Sequence, residues 1–356
     1  MKPVRRAVID VGTNSVKLLV AEVAGAEIRP VREQSKQTRL GQGFYETHRL
    51  KPEAIDATAK AVAAFAAMAR EAQAVAIRVI ATSAAREAVN REELTAAIEQ
   101  ASGLKVEVIS GEQEAAWGFA GVTTDPQLAQ APLLLLDVGG GSTQLVFGRS
   151  GHNLLRHSFP LGSVRLLETI PCSDPPQPAE LAACRQWLKG FLQREVRPRL
   201  MVGSGDGRGE RGGDQSLLTS TLRSPVHPPQ SCYGGRATED GSAATELGVG
   251  VQLVGVGGAA SILACMEVGL EAFDRARIEA TRLSAERVCW HLERLWSLPL
   301  EERKKITGLP KNRADVILMG VAIYQAVMEE FGFRELRIST RGLRFAAVLG
   351  SRASDA

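Results

Sequence analysis

The sequence predicts an α/β protein of two domains, and three observations carry that expectation. Apolar strands alternate with amphipathic helices through most of the chain. A strand and its turn recur at an offset of 127 residues, which lays Asp10, Val11, Gly12 and Ser15 on Asp137, Val138, Gly139 and Ser142. The length, 356 residues, exceeds what one hydrophobic core usually serves.

Taken in order, the chain opens with an apolar strand through Val8 and Ile9, a turn over Asp10–Ser15, and a second strand from Val16 to Val23. Pro52 to Ala74 has apolar residues at helical spacing (Ile55, Ala59, Val62, Phe65) and proline in the first turn, which predicts a long helix. Strand 75–81, helix 91–101, strand 106–109 and helix 111–122 follow, the last started by a Ser110/Gln113 capping box. Leu133–Leu136 is a strand running into Asp137-Val138-Gly139-Gly140-Gly141-Ser142-Thr143, with a further strand at Leu145–Phe147. Residues 201–246 are rich in glycine and proline and poor in apolar anchors, so a disordered surface insertion is expected there. Strand 251–254 then leads through Gly255–Ser261 into a helix at Ile262–Met266. Helices around 285–296 and 314–331, strand 336–339 and a turn at Arg341-Gly342 complete the series.

Composition excludes several classes. Lys and Arg total 43 against 40 Asp and Glu, so the net charge of +3 gives no global field for nucleic acid or a membrane surface. The five cysteines are odd in number and lack a C-x-x-C, and no H-E-x-x-H occurs, so neither a disulfide framework nor a zinc site is indicated. Charges at Lys2, Arg5, Arg6, Asp10, Lys17 and Glu22 interrupt any signal-peptide core, and no run approaches the ~18 apolar residues of a membrane span. A cytoplasmic protein is expected.

Three glycine-bearing turns follow apolar strands: Asp10–Ser15, Asp137–Thr143 and Gly255–Ser261. Glycine lets backbone N–H groups converge on phosphate oxygens, and Ser and Thr add hydroxyl donors. The candidate phosphate-binding residues are therefore Gly12, Thr13, Asn14 and Ser15, then Gly139, Gly140, Gly141, Ser142 and Thr143, and lastly Gly257 and Gly258. Either Asp10 or Asp137 alone reads first as a turn cap, but as a related pair they suit a hydrated Mg²⁺, which takes one or two carboxylates beside substrate phosphates. Glu114, in the first turn of its helix, reads by spacing as a residue that suits the helix dipole. No Walker G-x-x-x-x-G-K-[ST] is present, while Gly255–Ala260 fits G-x-G-x-x-A, a dinucleotide reading that leaves the paired Asp turns unexplained.

These residues resemble the exopolyphosphatase/guanosine pentaphosphate phosphohydrolase family, of the actin, hexokinase and Hsp70-like superfamily. Asp10–Ser15 is similar to its D-[IV]-G-[ST]-N-S loop, Arg39-Leu40-Gly41 to R-L-G, Ala81–Arg86 to A-T-S-A-x-R, and Ile109–Ala115 to I-S-G-x-x-E-A. Asp137–Thr143 resembles D-[IV]-G-G-G-S-T, Arg313-Ala314-Asp315 resembles R-A-D, and Gly342-Leu343-Arg344 resembles G-L-R. The resemblance implies two actin-like (ribonuclease H-like) domains flanking a cleft, 1–124 and 125–356, in the short form without an HD-type extension. It implies Mg²⁺-dependent hydrolysis of a terminal phosphoanhydride, with polyphosphate or guanosine pentaphosphate as substrate and a link to the stringent response; a homodimer is the assembly to look for. It makes Glu114 the residue that activates water, gives Mg²⁺ to Asp137 and Asp10, and lines the path of the polyanion with Arg86 and Arg39. Gln144 departs from the family's usual Glu, and a neutral amide accepts no proton. A polyphosphate or alarmone sensor without catalysis is the alternative that Gln144 raises. Ala259 and Ala260 depart likewise, standing in for the Thr-rich stretch of the third loop.

Overall fold

In the computed structural model, which describes residues 2–201 and 250–350, the alternation of strands and helices is present. β1 (Val4–Val11) and β2 (Ser15–Ala24) pair antiparallel across the first turn, from Val4 opposite Val23 to Val11 opposite Val16. β3 (Glu27–Gln37) continues the sheet on the far side of β2. Its charged sequence gives no apolar alternation, so only pairing at an edge reveals it as a strand. Pro30, which has no N–H for a ladder, sits where the register slips between Val20 and Ala21.

β4 (Ala76–Ala81) and β5 (Val106–Val108) add in parallel, giving the order β3-β2-β1-β4-β5. Successive residues of β1 point to opposite faces, and both faces are covered. Ile9 and Val11 pack with Val62 and Phe65 of α1 (Pro52–Glu71) and with Leu94 and Ile98 of α3 (Arg91–Ser102). Val8, with Leu19 and Ile80, packs against Trp117 of α4 (Gly111–Val122) and Phe345 of the helix Leu343–Leu349. Gly121 permits that last contact, because a Cβ there would strike the Gly342 carbonyl. Between β4 and α3 lies the short α2 (Ser83–Glu87).

The second sheet contains β6 (Leu133–Val138), β7 (Thr143–Arg149), β8 (His152–Phe159), β9 (Gln252–Val256), β10 (Arg282–Ser284) and β11 (Glu335–Ile338), in the order β10-β11-β9-β6-β7-β8. Read from its other edge, β8-β7-β6-β9-β11 repeats the succession β3-β2-β1-β4-β5. The repeat matches the strand-and-turn repeat at an offset of 127 residues in the sequence. Tyr324, fully buried, donates its hydroxyl to the carbonyls of Leu136 and Val256 and ties the ends of β6 and β9 together.

The described residues pack as two compact units, one within 2–130, 137–171 and 340–350, the other within 131–136, 172–201 and 250–339. Two helical boundaries differ from expectation. The helix foreseen at Ile262–Met266 begins at Gly257, directly from β9, so the Gly-Gly pair lies in its first turn. The helix foreseen from Ala314 begins at Ile317, after a 3₁₀ turn at Lys311–Arg313. The glycine-rich segment 201–246 lies, apart from Met201, outside the described residues. Among the described residues no helix is long and apolar enough to cross a membrane.

Candidate active site

The turns after β1 and β6 close alike. The Gly12 amide donates to the Ser15 carbonyl at 3.0 Å and the Gly139 amide to the Ser142 carbonyl at 2.9 Å. In both turns the next two carbonyls are drawn away. Thr13 O accepts from the Gly41 amide at 2.7 Å, and Asn14 O from the Thr38 and Arg39 amides at 3.1 Å each. Gly140 O accepts from the Val164 and Arg165 amides at 2.8 and 3.1 Å, and Gly141 O from Arg165 Nε at 2.8 Å. Among the described backbone hydrogen bonds, the amides of Thr13, Asn14, Gly140 and Gly141 donate to none. Two turns with carbonyls bound and amides unspent are suited to an anion. They also touch: a Cβ on Gly140 would lie 3.0 Å from Thr13 Cβ and 3.4 Å from the Asn14 nitrogen.

Carboxylates stand where these turns begin. Asp10, 6% exposed at the end of β1, has Oδ1 buried without a hydrogen-bond partner. Burial raises its pKa, opposed by Lys17 and Arg344. Asp137, at the end of β6, is pushed up to about 6 by burial, with Lys17 and Arg344 again opposing and Asp10 adding its repulsion. Lys17 lies opposite Asp10 in the β1–β2 register. Arg344 is held by its hydrogen bond to Leu18 O at 2.9 Å and by Glu33 at 3.5 Å.

Glu114 is 8% exposed in the first turn of α4, which Ser110 caps by accepting from the Gln113 amide at 3.1 Å. Arg86 Nη1 reaches Glu114 Oε2 at 3.1 Å and the Ile109 carbonyl at 2.9 Å. Burial pushes Glu114 up to about 8; Arg86 opposes, while Asp137 and Asp10 add to the rise. Three carboxylates therefore sense one another's charge, a pattern that concentrates at functional sites. Gln144, 2% exposed on β7, donates from Nε2 to Ser142 Oγ at 2.9 Å and Ser158 Oγ at 3.0 Å. Ser158 also stands over Gly111, where a Cβ would meet its Oγ at 2.7 Å. The amide thus links the second turn to β8, beside the start of α4.

One unit brings together Asp10, the first turn, Arg39, Arg86, Glu114, Asp137, the second turn and Gln144. Gly257 and Gly258 belong to the other unit, at a helix start without a side-chain cap, where Gly257 adopts φ 88°. Thr143 Oγ1 is spent on the Leu161 carbonyl at 2.6 Å. Sequence reading had no role for Lys17, Tyr45, Glu87, Ser158 or Arg165. Arg344 carried a signal in the Gly-Leu-Arg triplet, and Lys17 one in its register opposite Asp10.

Comparison with known proteins decides the family. The Ppx/GppA phosphatase family model matches residues 19–225 and 241–353. This chain belongs to the Ppx/GppA phosphatase family. Exopolyphosphatase 2 of Mycobacterium tuberculosis is 30% identical over 349 residues, 94% of each chain. The Aquifex aeolicus PPX-GPPA enzyme aligns over 98% of this chain and 100% of its own, with 26% identity and a TM-score of 0.70. An exopolyphosphatase from Cytophaga hutchinsonii shares the fold, with a TM-score of 0.76 over 98% of this chain and 99% of its own at 21% identity. The actin-like ATPase superfold expected from the sequence is the fold of this Ppx/GppA protein.

Among the described residues no group of three or more His, Cys, Asp or Glu side chains is arranged to hold a metal by itself. The two Asp carboxylates still fit Mg²⁺, which keeps several waters and shares its coordination with substrate phosphates. The buried, unpartnered Asp10 Oδ1 is the observation that favours such an ion.

Proposed function

We propose that this Ppx/GppA protein is a Mg²⁺-dependent phosphoanhydride hydrolase that removes the terminal phosphate of inorganic polyphosphate or the 5′ γ-phosphate of guanosine pentaphosphate. One observation carries the reading: a buried Glu114, fixed by Arg86, shares the field of Asp10 and Asp137 beside two turns with unspent amides. The M. tuberculosis relative named as an exopolyphosphatase supports polyphosphate as the substrate class.

Phosphoryl transfer asks for positioning and charge stabilisation more than for covalent chemistry. The amides of Thr13, Asn14, Gly140 and Gly141 take the oxygens of the terminal phosphoryl group. Glu114 accepts a proton from the attacking water as oxygen bonds to phosphorus and the anhydride P–O bond breaks. Burial raises Glu114 to about 8, so the carboxylate form that accepts the proton is populated as pH rises through that value. Arg86 orients Glu114 through its bonds to Oε2 and to the Ile109 carbonyl. Asp10 and Asp137 would hold Mg²⁺, whose chemistry when bound is to neutralise charge on the phosphate oxygens. Arg39 lies along the path of the chain of phosphates.

A second reading rests on Gln144. With Nε2 divided between Ser142 and Ser158, this position supplies no carboxylate, as in a sensor that binds without hydrolysing. Phosphate release from long-chain polyphosphate and from guanosine pentaphosphate, with and without Mg²⁺, separates the two. Wild type should release phosphate only with Mg²⁺, and Glu114→Gln should lose about 10²-fold or more, the usual contribution of a general base. Ligand binding without release by the wild type would establish the sensor.

A further inference from the structure

Resting on the hydrolase reading, we propose that Arg165 is a positioning residue for phosphoryl transfer, the side chain that keeps the second turn's amide aimed at the substrate. Arg165 stands in α6 (Ser163–Thr169), 24 residues beyond the turn it serves. Its Nε donates to the Gly141 carbonyl at 2.8 Å, and Nη2 donates to both Glu87 oxygens at 2.7 Å each. Its guanidinium lies over the Tyr45 ring, 4.1 Å from the centroid. Glu87 itself is fixed by Ser83 Oγ at 2.9 Å. One turn along α6, Glu168 accepts the Gly43 amide at 2.6 Å and the Tyr45 amide at 3.3 Å. Two residues of one helix face thus hold the second turn, α2 and the segment around Tyr45 as one bracket.

The consequence for chemistry lies in the peptide plane. Arg165 binds the carbonyl of the Gly141–Ser142 peptide, while the Gly140 carbonyl, of the peptide that carries the Gly141 amide, is held by the Val164 and Arg165 amides. The Arg165 side chain therefore fixes the plane that carries the Ser142 amide, and the backbone amides fix the plane that carries the Gly141 amide, so neither can swing away from an anion. Tyr45 closes the opposite side. A Cβ on Gly141 would strike its hydroxyl, and would lie 2.5 Å from Ser83 Oγ and 2.7 Å from Thr13 Oγ1. The Tyr45 hydroxyl is buried against Thr13 without a hydrogen bond of good geometry, and burial pushes it up to about 12, so it remains an O–H. Nη2 on the Glu87 carboxylate and Nε on the Gly141 carbonyl use two nitrogens of one rigid plane; lysine offers one ammonium point.

The test is steady-state phosphate release from long-chain polyphosphate by wild type, Arg165→Lys, Arg165→Met and Glu87→Gln, well below each melting temperature. Arg165→Met should lower kcat about tenfold or more while KM stays within about threefold, the mark of an interaction expressed in the transition state. Arg165→Lys should recover part of that loss, and Glu87→Gln should show a smaller loss of the same kind. A kcat for Arg165→Met within about twofold of wild type overturns the assignment, as does a change confined to KM, which would make Arg165 a direct substrate contact. If the wild type releases no phosphate, the hydrolase reading fails by itself, and equilibrium binding of tripolyphosphate then decides: weaker binding by Arg165→Met that Glu87→Gln shares sustains the bracket, and equal binding, or a loss confined to Arg165→Met, overturns it.

Discussion

The turns after β1 and β6 present the same pair of free amides, yet their last carbonyls are braced differently, that of Asn14 by backbone and that of Gly141 by a side chain. Thr13 and Asn14 have their carbonyls drawn off by the amides of Gly41, Thr38 and Arg39. At the equivalent position of the second turn, Gly141 relies on Arg165. The difference follows from what each turn leads into. The first is flanked by a segment that folds back from β3, whose consecutive Thr38 and Arg39 amides converge on one carbonyl. The second lies against the start of α6, whose first amides reach Gly139 and Gly140 but leave Gly141 to a side chain. A duplicated pattern can thus keep its ligand geometry while its supports diverge.

The largest expected effect tests the crowding that accompanies the side-chain brace. Gly141→Ala would drive a methyl group into Tyr45, Ser83 and Thr13, whereas a Cβ on Gly12 meets only Ser15 O, at 3.2 Å. Overpacking of this kind costs about 1–3 kcal/mol. Gly141→Ala should lower the melting temperature and reduce phosphate release about 100-fold, the scale of losing an oriented anion donor. Gly12→Ala should stay within about tenfold of wild type. Equal effects at both positions would show that the two turns are loaded alike.

A second contrast concerns the carboxylates that open the turns. Burial raises both, and Asp137 reaches about 6 from an ordinary 3.8. Below about pH 3.8 the group is neutral in folded and unfolded chains alike, and its favourable contribution is complete. Between 3.8 and about 6 the unfolded chain ionises first, so this contribution is lost as pH rises through the folded value. The gap corresponds to about 3 kcal/mol at most. In chelator, Asp137→Asn should therefore unfold at higher denaturant than wild type at pH 7 and at equal denaturant at pH 3.5. Saturating Mg²⁺ should stabilise wild type and leave the variant unchanged, because only wild type offers both carboxylates. A wild type indifferent to Mg²⁺ would remove the ion from this site.

Much of this was legible in the residues. Val8-Ile9 before Asp10 and Leu133–Leu136 before Asp137 announce buried strands ending in turns, and the Ser110 cap places Glu114 at a helix start. Motif order supplied the role of Glu114, which spacing alone assigned to the helix dipole. Polar edge strands were not legible: β3 is held by pairing with β2, and β8 by pairing with β7, without an apolar stripe of their own. Nor was the bracket, because Tyr45, Glu87 and Arg165 stand in three separate segments and meet only after the chain folds. The same holds for the convergence of Asp10, Glu114 and Asp137, which no local period encodes.

The smallest effect sharpens the comparison most. Gln37 touches the first turn from outside, donating Nε2 to Asn14 Oδ1 at 3.1 Å. Asn14's carbonyl is already held by two backbone amides, so removing this bond leaves the peptide plane where it is. A hydrogen bond of this kind contributes about 1 kcal/mol to stability, and nothing in its geometry is specific to the transition state. Gln37→Ala should change kcat by less than about threefold, against the tenfold expected for Arg165→Met. A tenfold loss in Gln37→Ala as well would mean that the first turn, despite its backbone bonds, also depends on a side chain to keep its amides in place, and the asymmetry between the two halves would vanish.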